Sequence, residues 1–333
     1  MSSPLAIAAF VLAGYAVIGN DALQTLGPFL AANRGRAPRL LQFCWLAALL
    51  AAVLLLGWWW GEGDPAWGRL QTFAPMIDLR WIDLLPSLSV LLLTQWGAPV
   101  STSFLLLTAV DPASVQPLLR HSLAGYGLGL AVGLLAWGVL LWRLERSPAD
   151  PSTEGIAAEN PAAPAAAGPG QSSLTFWLVV QWLTTGWLWS QWLMQDLANI
   201  YIYLPRRLGP GAMAGSLAVL LVGLALLMAE NGGAIQQRLI SKTNSGDPRS
   251  AALLAGIYGL VLFVMDRISS YPLSTTWAFL GLLAGRELAL LRLGQRAWRS
   301  AADSLAEDLL RAALGLGISL AVALGVRASR AVL

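Results

Sequence analysis

The sequence predicts an all-α polytopic membrane protein, and three observations carry that expectation. First, of 333 residues 56% are hydrophobic and 12% charged, where a soluble domain carries about 25% charged residues. The mean hydropathy is +0.62, more apolar surface than a water-soluble core of this size hides. The same figures exclude disordered, collagenous and disulfide-rich classes. Second, apolar runs of about 20 residues, the length that crosses a bilayer, recur along the chain. Third, 16 Trp residues suit a protein with two lipid–water interfaces. Cys44, the single cysteine, lies in an apolar run, and Lys242 is the one Lys among 21 basic residues against 18 acidic ones.

The apolar segments lie at 4–32, 40–60, 84–110, 122–142, 174–204, 213–230, 251–265, 272–284 and 309–326. The first lacks the basic start and small-residue cleavage site of a signal peptide and is expected to stay as a mature helix. The run at 84–110 is interrupted by Gly97-Ala98-Pro99, and Ser269-Ser270-Tyr271 separate 251–265 from 272–284. Each interrupted pair is read as a re-entrant helical hairpin. Between them, 145–173 is rich in Ala, Gly, Ser and Pro (Pro148, Pro151, Pro161, Pro164, Pro169). Such a stretch cannot bury a core and is expected to be a disordered cytoplasmic linker. It divides the chain into a first membrane repeat, 1–144, and a second, 174–333.

The two halves carry the same motifs in the same order. Gly19-Asn20-Asp21-Ala22-Leu23-Gln24 precedes Pro99-Val100-Ser101-Thr102-Ser103, and Gln195-Asp196-Leu197-Ala198-Asn199 precedes Pro272-Leu273-Ser274-Thr275-Thr276. Asp21 and Asp196 are 175 residues apart, and Pro99 and Pro272 are 173 apart. Duplication of a membrane unit marks many secondary transporters, with the site between the repeats. Each repeat is expected to hold three transmembrane helices, one of them broken, plus the hairpin. An odd number of crossings inverts the second repeat relative to the first. The positive-inside rule then puts 13 of the 21 basic residues inside and seven outside, with Arg267 near the second hairpin tip. Both termini fall outside and the linker inside, in an integral protein of a bacterial plasma (inner) membrane.

A carboxylate at membrane depth costs several kcal/mol unless a cation or hydrogen-bond donors meet it, so Asp21 and Asp196 are functional candidates. Asn20 and Gln24 share a helix face with Asp21, as Gln195 and Asn199 do with Asp196. Carboxylate and amide oxygens are hard ligands that suit an alkali cation, with sodium at Asp21 and Asp196. Pro99 and Pro272 suit the first turn of a half-helix. Its N-terminus, with Ser101, Thr102, Ser103 and with Ser274, Thr275, Thr276, offers donors and partial positive charge to an oxyanion such as phosphate or sulfate. The plainer alternatives are a helix cap for each Asp and ordinary N-capping for each Ser-Thr run. Their paired recurrence argues against both.

Other features carry less chemistry. Asp266 and Arg267 are read as a buried ion pair bracing the second hairpin, and Arg286-Glu287 as an interfacial anchor. His121 and Trp58-Trp59-Trp60 are read as interfacial, and 296–311 as a cytoplasmic surface helix. Gly14, Gly125, Gly127, Gly129 and Gly133 suit close helix contacts.

The four motifs resemble those of the inorganic phosphate transporter (PiT) family, which has two inverted repeats, each with an Asn-Asp motif and a Pro-Val-Ser-Thr-Thr motif. The resemblance covers both halves. Gln195 stands where the family has a second Asn, and Phe104 and Trp277 where it usually has His. The resemblance implies cation coordination by Asp21 and Asp196 with nearby amides, and oxyanion binding by Ser101, Thr102, Ser274 and Thr275. It implies uptake of phosphate coupled to sodium or protons, by alternating access around a midplane site, and admits a homodimer. Sulfate or another small anion on the same fold is the first alternative, and a non-transporting membrane scaffold subunit the second. Beyond the lipid bilayer, the anion and the coupling ion, no cofactor and no nucleic-acid partner is expected. No Gly-x-x-x-x-Gly-Lys-[Ser/Thr] loop for nucleotide hydrolysis is present. An aspartyl enzyme built on Asp21 and Asp196 leaves the repeated Ser-Thr segments unexplained, so no enzyme activity is expected.

Overall fold

Short polar residues and prolines set where the helices begin. The Ser3 side chain accepts from the backbone N–H of Ala6 at 3.2 Å, with Pro4 opening α1 (Pro4–Ala32). Asn33 closes it, donating from Nδ2 to the Phe29 carbonyl at 2.9 Å. Pro38 precedes α2 (Arg39–Trp60). A 3₁₀ turn at Trp81–Leu84 leads into α3 (Leu85–Gln95), followed by α4 (Thr102–Val110) and α5 (Val115–Leu135). After the interval between the halves come α6 (Pro169–Tyr201), α7 (Pro210–Ala229), α8 (Pro248–Ile268), α9 (Thr275–Arg292) and α10 (Trp298–Val332). In this computed structural model residues 3–76, 78–95, 100–141, 169–229, 247–269, 271–293 and 298–332 are described, and every regular element among them is helical.

Six segments among the described residues are long and apolar enough to cross a membrane: Pro4–Asp21, Arg39–Trp60, Pro112–Val139, Pro210–Ala229, Pro248–Ile268 and Leu305–Arg330. Leu135, Val139 and Leu324 are among the large apolar side chains left exposed on these helices, where lipid rather than water covers them. The chain is an all-α integral membrane protein. α6 is not among the six because Gln181, Gln191, Gln195 and its threonines lower its hydropathy. Gln181, Thr185, Gln191 and Gln195 are buried, so α6 is an interior helix.

α1 and α6 pack antiparallel. Phe10 meets Tyr201 with ring centroids 5.2 Å apart, Phe29 meets Trp182 at 5.1 Å, and Asn33 donates to Gln181 at 2.8 Å. The core lies along this pair, with Ala13, Ala16, Val17, Leu193, Leu197 and Ala198 buried. α3 lies against α1, and α8 against α6; α7 packs on α1, α2 on α6, and α2 on α7.

α5 and α9 run parallel and make the most extensive contact in the molecule. Small residues permit it. A Cβ on Gly133 of α5 would stand 2.5 Å from the Leu282 carbonyl, and Gly281 and Gly285 of α9 face the Tyr126 and Leu130 carbonyls as closely. Gly127, by contrast, has nothing within 4 Å. Of the glycines expected at helix contacts, Gly125, Gly129 and Gly133 line this seam, Gly14 meets Leu220 of α7, and Gly127 does not participate.

Two expectations need correction. The helices that carry Asp21 and Asp196 are not broken: α1 and α6 run continuously through both residues, because the flanking amides and neighbouring hydroxyls satisfy the carboxylates without opening the backbone. The helix that follows the expected linker, α6, starts at Pro169, a residue suited to a first helical turn; residues 145–168 lie outside the described residues. The 296–311 segment is no separate surface helix. From Trp298 it is the first part of α10, 35 residues long and so about 52 Å. The far end of α10 is fastened by Arg330, whose Nε and Nη2 donate to the Asp83 carboxylate at 2.8 and 2.6 Å.

Gly281→Ala should lower stability by about 1–3 kcal/mol, the usual cost of overpacking, read as a drop in thermal unfolding midpoint of the detergent-solubilised protein. Gly127→Ala should leave the midpoint unchanged or raise it. Equal effects of the two variants would contradict the close α5–α9 seam.

Candidate functional site

The starts of α4 and α9 are built alike. Ser101, with φ −75° and ψ 105°, caps α4 and accepts from the Phe104 N–H. Ser274, with φ −80° and ψ 107°, caps α9 and accepts from the Trp277 N–H. Thr102 and Thr275 are therefore the first residues of their helices, as the Ser-Thr spacing requires. Pro99 lies outside the described residues.

The two capped ends, α1 and α6 converge on one buried cluster. In α1, Asn20 Nδ2 donates to Asp21 Oδ1 at 2.8 Å and to the Val100 carbonyl at 2.7 Å. Thr94 of α3 donates to Asn20 Oδ1 at 3.2 Å. Thr102 donates to Asp21 Oδ2, and Thr276 of the other hairpin lies 3.4 Å from Asp21 Oδ1 and from the Val100 carbonyl. In α6, Asn199 Nδ2 lies 2.7 Å from Asp196 Oδ1, 3.0 Å from Ser103 Oγ and 3.2 Å from Thr102 Oγ1. Ser103 donates in turn to the Leu273 carbonyl at 3.0 Å, joining the two breaks directly. A continuous path, Asp21–Thr102–Asn199–Asp196, thus links the two carboxylates. Asn20, Asp21, Ser101, Thr102, Ser103, Gln195, Asp196, Asn199, Ser274, Thr275 and Thr276 are each at most 4% exposed. The side chain of Gln24 lies outside the described residues.

The two carboxylates are not equivalent. Both Asp21 oxygens accept hydrogen bonds. Around Asp196, three buried oxygens have no partner among the described residues: Asp196 Oδ2, Gln195 Oε1 and Asn199 Oδ1. A buried acceptor left unpaired costs about 1–3 kcal/mol, and a hard cation repays that cost with ligand bonds. One carboxylate and two amide oxygens on neighbouring positions of one helix suit a monovalent ion. No group of three His, Cys, Asp or Glu that could hold a metal occurs among the described residues.

The chain matches no family model, no curated protein and no solved structure. The chemistry of the site is therefore read from its geometry.

Several participants were not apparent from the sequence. Thr94 supports Asn20, Ser122 of α5 accepts from the Ser274 N–H at 3.0 Å, and Tyr258 of α8 donates to the Thr275 carbonyl at 2.9 Å. Each is a polar residue without a repeated motif in a largely apolar helix, a weak signal on its own. Two readings of charged residues are corrected. Asp266 pairs with Arg69, from the loop after α2, and not with Arg267, which is exposed and lies over the Phe263 ring. Arg286 and Glu287 are no interfacial anchor: both are buried, 3.3 Å apart, with Arg286 over the Trp137 ring. The glycine seam draws α9 so close to α5 that these side chains are enclosed. His121 stacks on Tyr271 at 5.3 Å, and Trp59 and Trp60 are exposed.

Because Asn199 touches both carboxylate systems, Asn199→Ala should destabilise the protein by about 1–3 kcal/mol in pulse proteolysis. Ser190→Ala, which removes a hydroxyl bonded only within α6 to Gly186, should stay within about 0.5 kcal/mol. Indistinguishable variants would remove Asn199 from the centre of the network.

Proposed function

We propose that the protein is a secondary active transporter of an inorganic oxyanion, phosphate first among the candidates, coupled to sodium or protons. The observation that carries this is the meeting of four sequence-distant motifs in one buried cluster between the halves. Two capped half-helix ends bring partial positive charge and hydroxyls. Two carboxylates with amide neighbours bring the negative charge and hard oxygens that a coupling cation needs.

The packing supports the inverted-repeat part of the reading. Exchange α1 with α6, α2 with α7, α3 with α8, α4 with α9 and α5 with α10, and most of the contacts map onto one another. α1–α3 becomes α6–α8, α5–α9 becomes α10–α4, and α1–α7 becomes α6–α2, while α1–α6 and α2–α7 map onto themselves. The antiparallel course of α1 and α6 is what an inverted pair requires. The Arg330–Asp83 pair holds the end of α10 beside the acidic loop, in keeping with an orientation that puts both on the outer face.

In the conformation described here, Thr102, Ser103 and Thr276 satisfy carboxylate and carbonyl oxygens of the protein itself. An entering oxyanion competes for these donors, and a cation at Asp196 compensates the added negative charge. Two hairpins whose tips touch through Ser103 and Leu273 then supply the moving parts of alternating access.

The reading is tested by uptake of radiolabelled phosphate into proteoliposomes, with and without an inward sodium gradient, and with sulfate as competitor. Sodium- or proton-stimulated uptake is expected, abolished by Ser101→Ala/Ser274→Ala. Asp196→Asn removes a charged ligand contact of about 1.5–3 kcal/mol, so sodium affinity should fall about 10- to 150-fold. Folded protein that moves neither phosphate nor sulfate under either gradient would sink the proposal.

A further inference from the structure

The loop that follows α2 is a built element. Asp64 accepts from the backbone N–H groups of Ala66 and Gly68 at 2.8 and 3.0 Å. Trp67 and Gly68 turn through left-handed conformations, φ 56° and 76°. The Leu208 N–H donates to the Gly63 carbonyl at 2.8 Å, and Arg206 reaches the Phe73 and Ala74 carbonyls at 3.2 and 2.9 Å. This stitching aims Arg69 into the bundle, where it is 3% exposed.

Arg69 arrives beside the site already described. Its Nε donates to the Met194 carbonyl at 2.7 Å, two residues before Asp196. Its Nη2 pairs with Asp266, in the last turn of α8 before the second break. Four residues further on, Phe73 packs on Tyr271 within that break, centroids 5.5 Å apart. The loop therefore holds the second hairpin tip at two points. Burial pulls the guanidinium below its usual pKa range, opposed by the carboxylates of Asp266 and then Asp196.

The pair is lopsided. The Arg69 side chain is 2% exposed and that of Asp266 22%, so Asp266 can exchange its partner for water far more cheaply than Arg69 can. A buried guanidinium whose counter-ion faces water can exchange that carboxylate for an oxyanion: its planar fork of donors matches phosphate and sulfate as well as carboxylate.

We propose that Arg69 is the anion-recognising side chain and Asp266 its resting counter-ion: the entering oxyanion takes over the guanidinium, and Asp266 turns to water and frees the loop from the second break. This rests on the transport reading and adds to it the specificity-determining residue and the gate on the loop side.

The experiment measures binding of inorganic phosphate to the purified full-length protein in nanodiscs, with sulfate as second probe, and the unfolding midpoint in parallel. Asp266→Asn removes the competitor and should tighten phosphate binding about tenfold, or about 1.4 kcal/mol. Arg69→Lys should weaken binding, and Arg69→Gln should abolish it. Arg69→Gln/Asp266→Asn should recover the midpoint of the single variants but bind no better than Arg69→Gln. If Asp266→Asn weakens binding and the double variant restores it, the pair is only a brace and the proposal falls. Binding that survives Arg69→Gln overturns it while leaving the transport reading intact. A wild-type protein that binds neither anion overturns both.

Discussion

Two carboxylates, Asp21 and Asp196, lie at the centre of a bundle whose surroundings are overwhelmingly apolar, and the arrangement of the helices around them answers that constraint. Water cannot pair them there, so the chain must bring its own donors. It does so from all sides: Asn20 and Asn199 from the carboxylates' own helices, Thr102 and Thr276 from the first turns of α4 and α9. Those first turns reach the centre only because the backbone breaks before them, and the Ser101 and Ser274 caps make the breaks tolerable by meeting N–H groups that no helical carbonyl reaches. The glycine seam between α5 and α9 matters for the same reason, since it sets the depth at which Thr275 and Thr276 stand.

The cluster is asymmetric although its motifs are duplicated. Around Asp21 every carboxylate oxygen is met by a protein donor. Around Asp196 three oxygens have no hydrogen-bond partner among the described residues, and the guanidinium of Arg69, paired with Asp266, acts on the carboxylate as the opposite charge. An arrangement with one finished half and one unfinished half has a natural place for a mobile ion, and a natural way for that ion to be felt across the molecule, through Asn199 and Thr102. Arg69 adds the opposite charge on the loop side of the same centre.

Much of this was legible in the sequence, and for a definite reason. A motif that occurs once in an apolar helix has many explanations, but Asp21 with Pro99 and Asp196 with Pro272 recur at almost equal displacement, and only a shared location explains both. Composition alone indicated the membrane. Physical features without a periodic or paired signature stayed hidden. Arg69 sits among Gly, Asp and Trp in a polar loop, and nothing in that pattern tells an inward-pointing arginine from a solvated one. Asp266 and Arg267 are neighbours in sequence, yet adjacent helical residues point in different directions, and Asp266 took a distant partner. The expected broken helix in each half is not found at Asp21 or Asp196, where side-chain partners satisfy the carboxylates without opening α1 or α6. α10 was read as two helices because its charged and apolar stretches differ, although no Pro or Gly pair divides them.

The central claim is that the two hairpin tips, 170 residues apart in the chain between Ser103 and Leu273, meet at one point beside the two carboxylates. Cross-linking by a short bifunctional thiol reagent in native membranes tests it most directly, in a Cys44→Ser background with Ser103→Cys and Leu273→Cys, since Ser103 meets the Leu273 main chain rather than its side chain. Asn33→Cys/Gln181→Cys, whose native side chains touch at 2.8 Å across α1 and α6, serves as the positive control. The account predicts rapid cross-linking of the tip pair, prevented when phosphate and sodium hold the hairpins apart. A tip pair that never cross-links, while the control pair does, would contradict it.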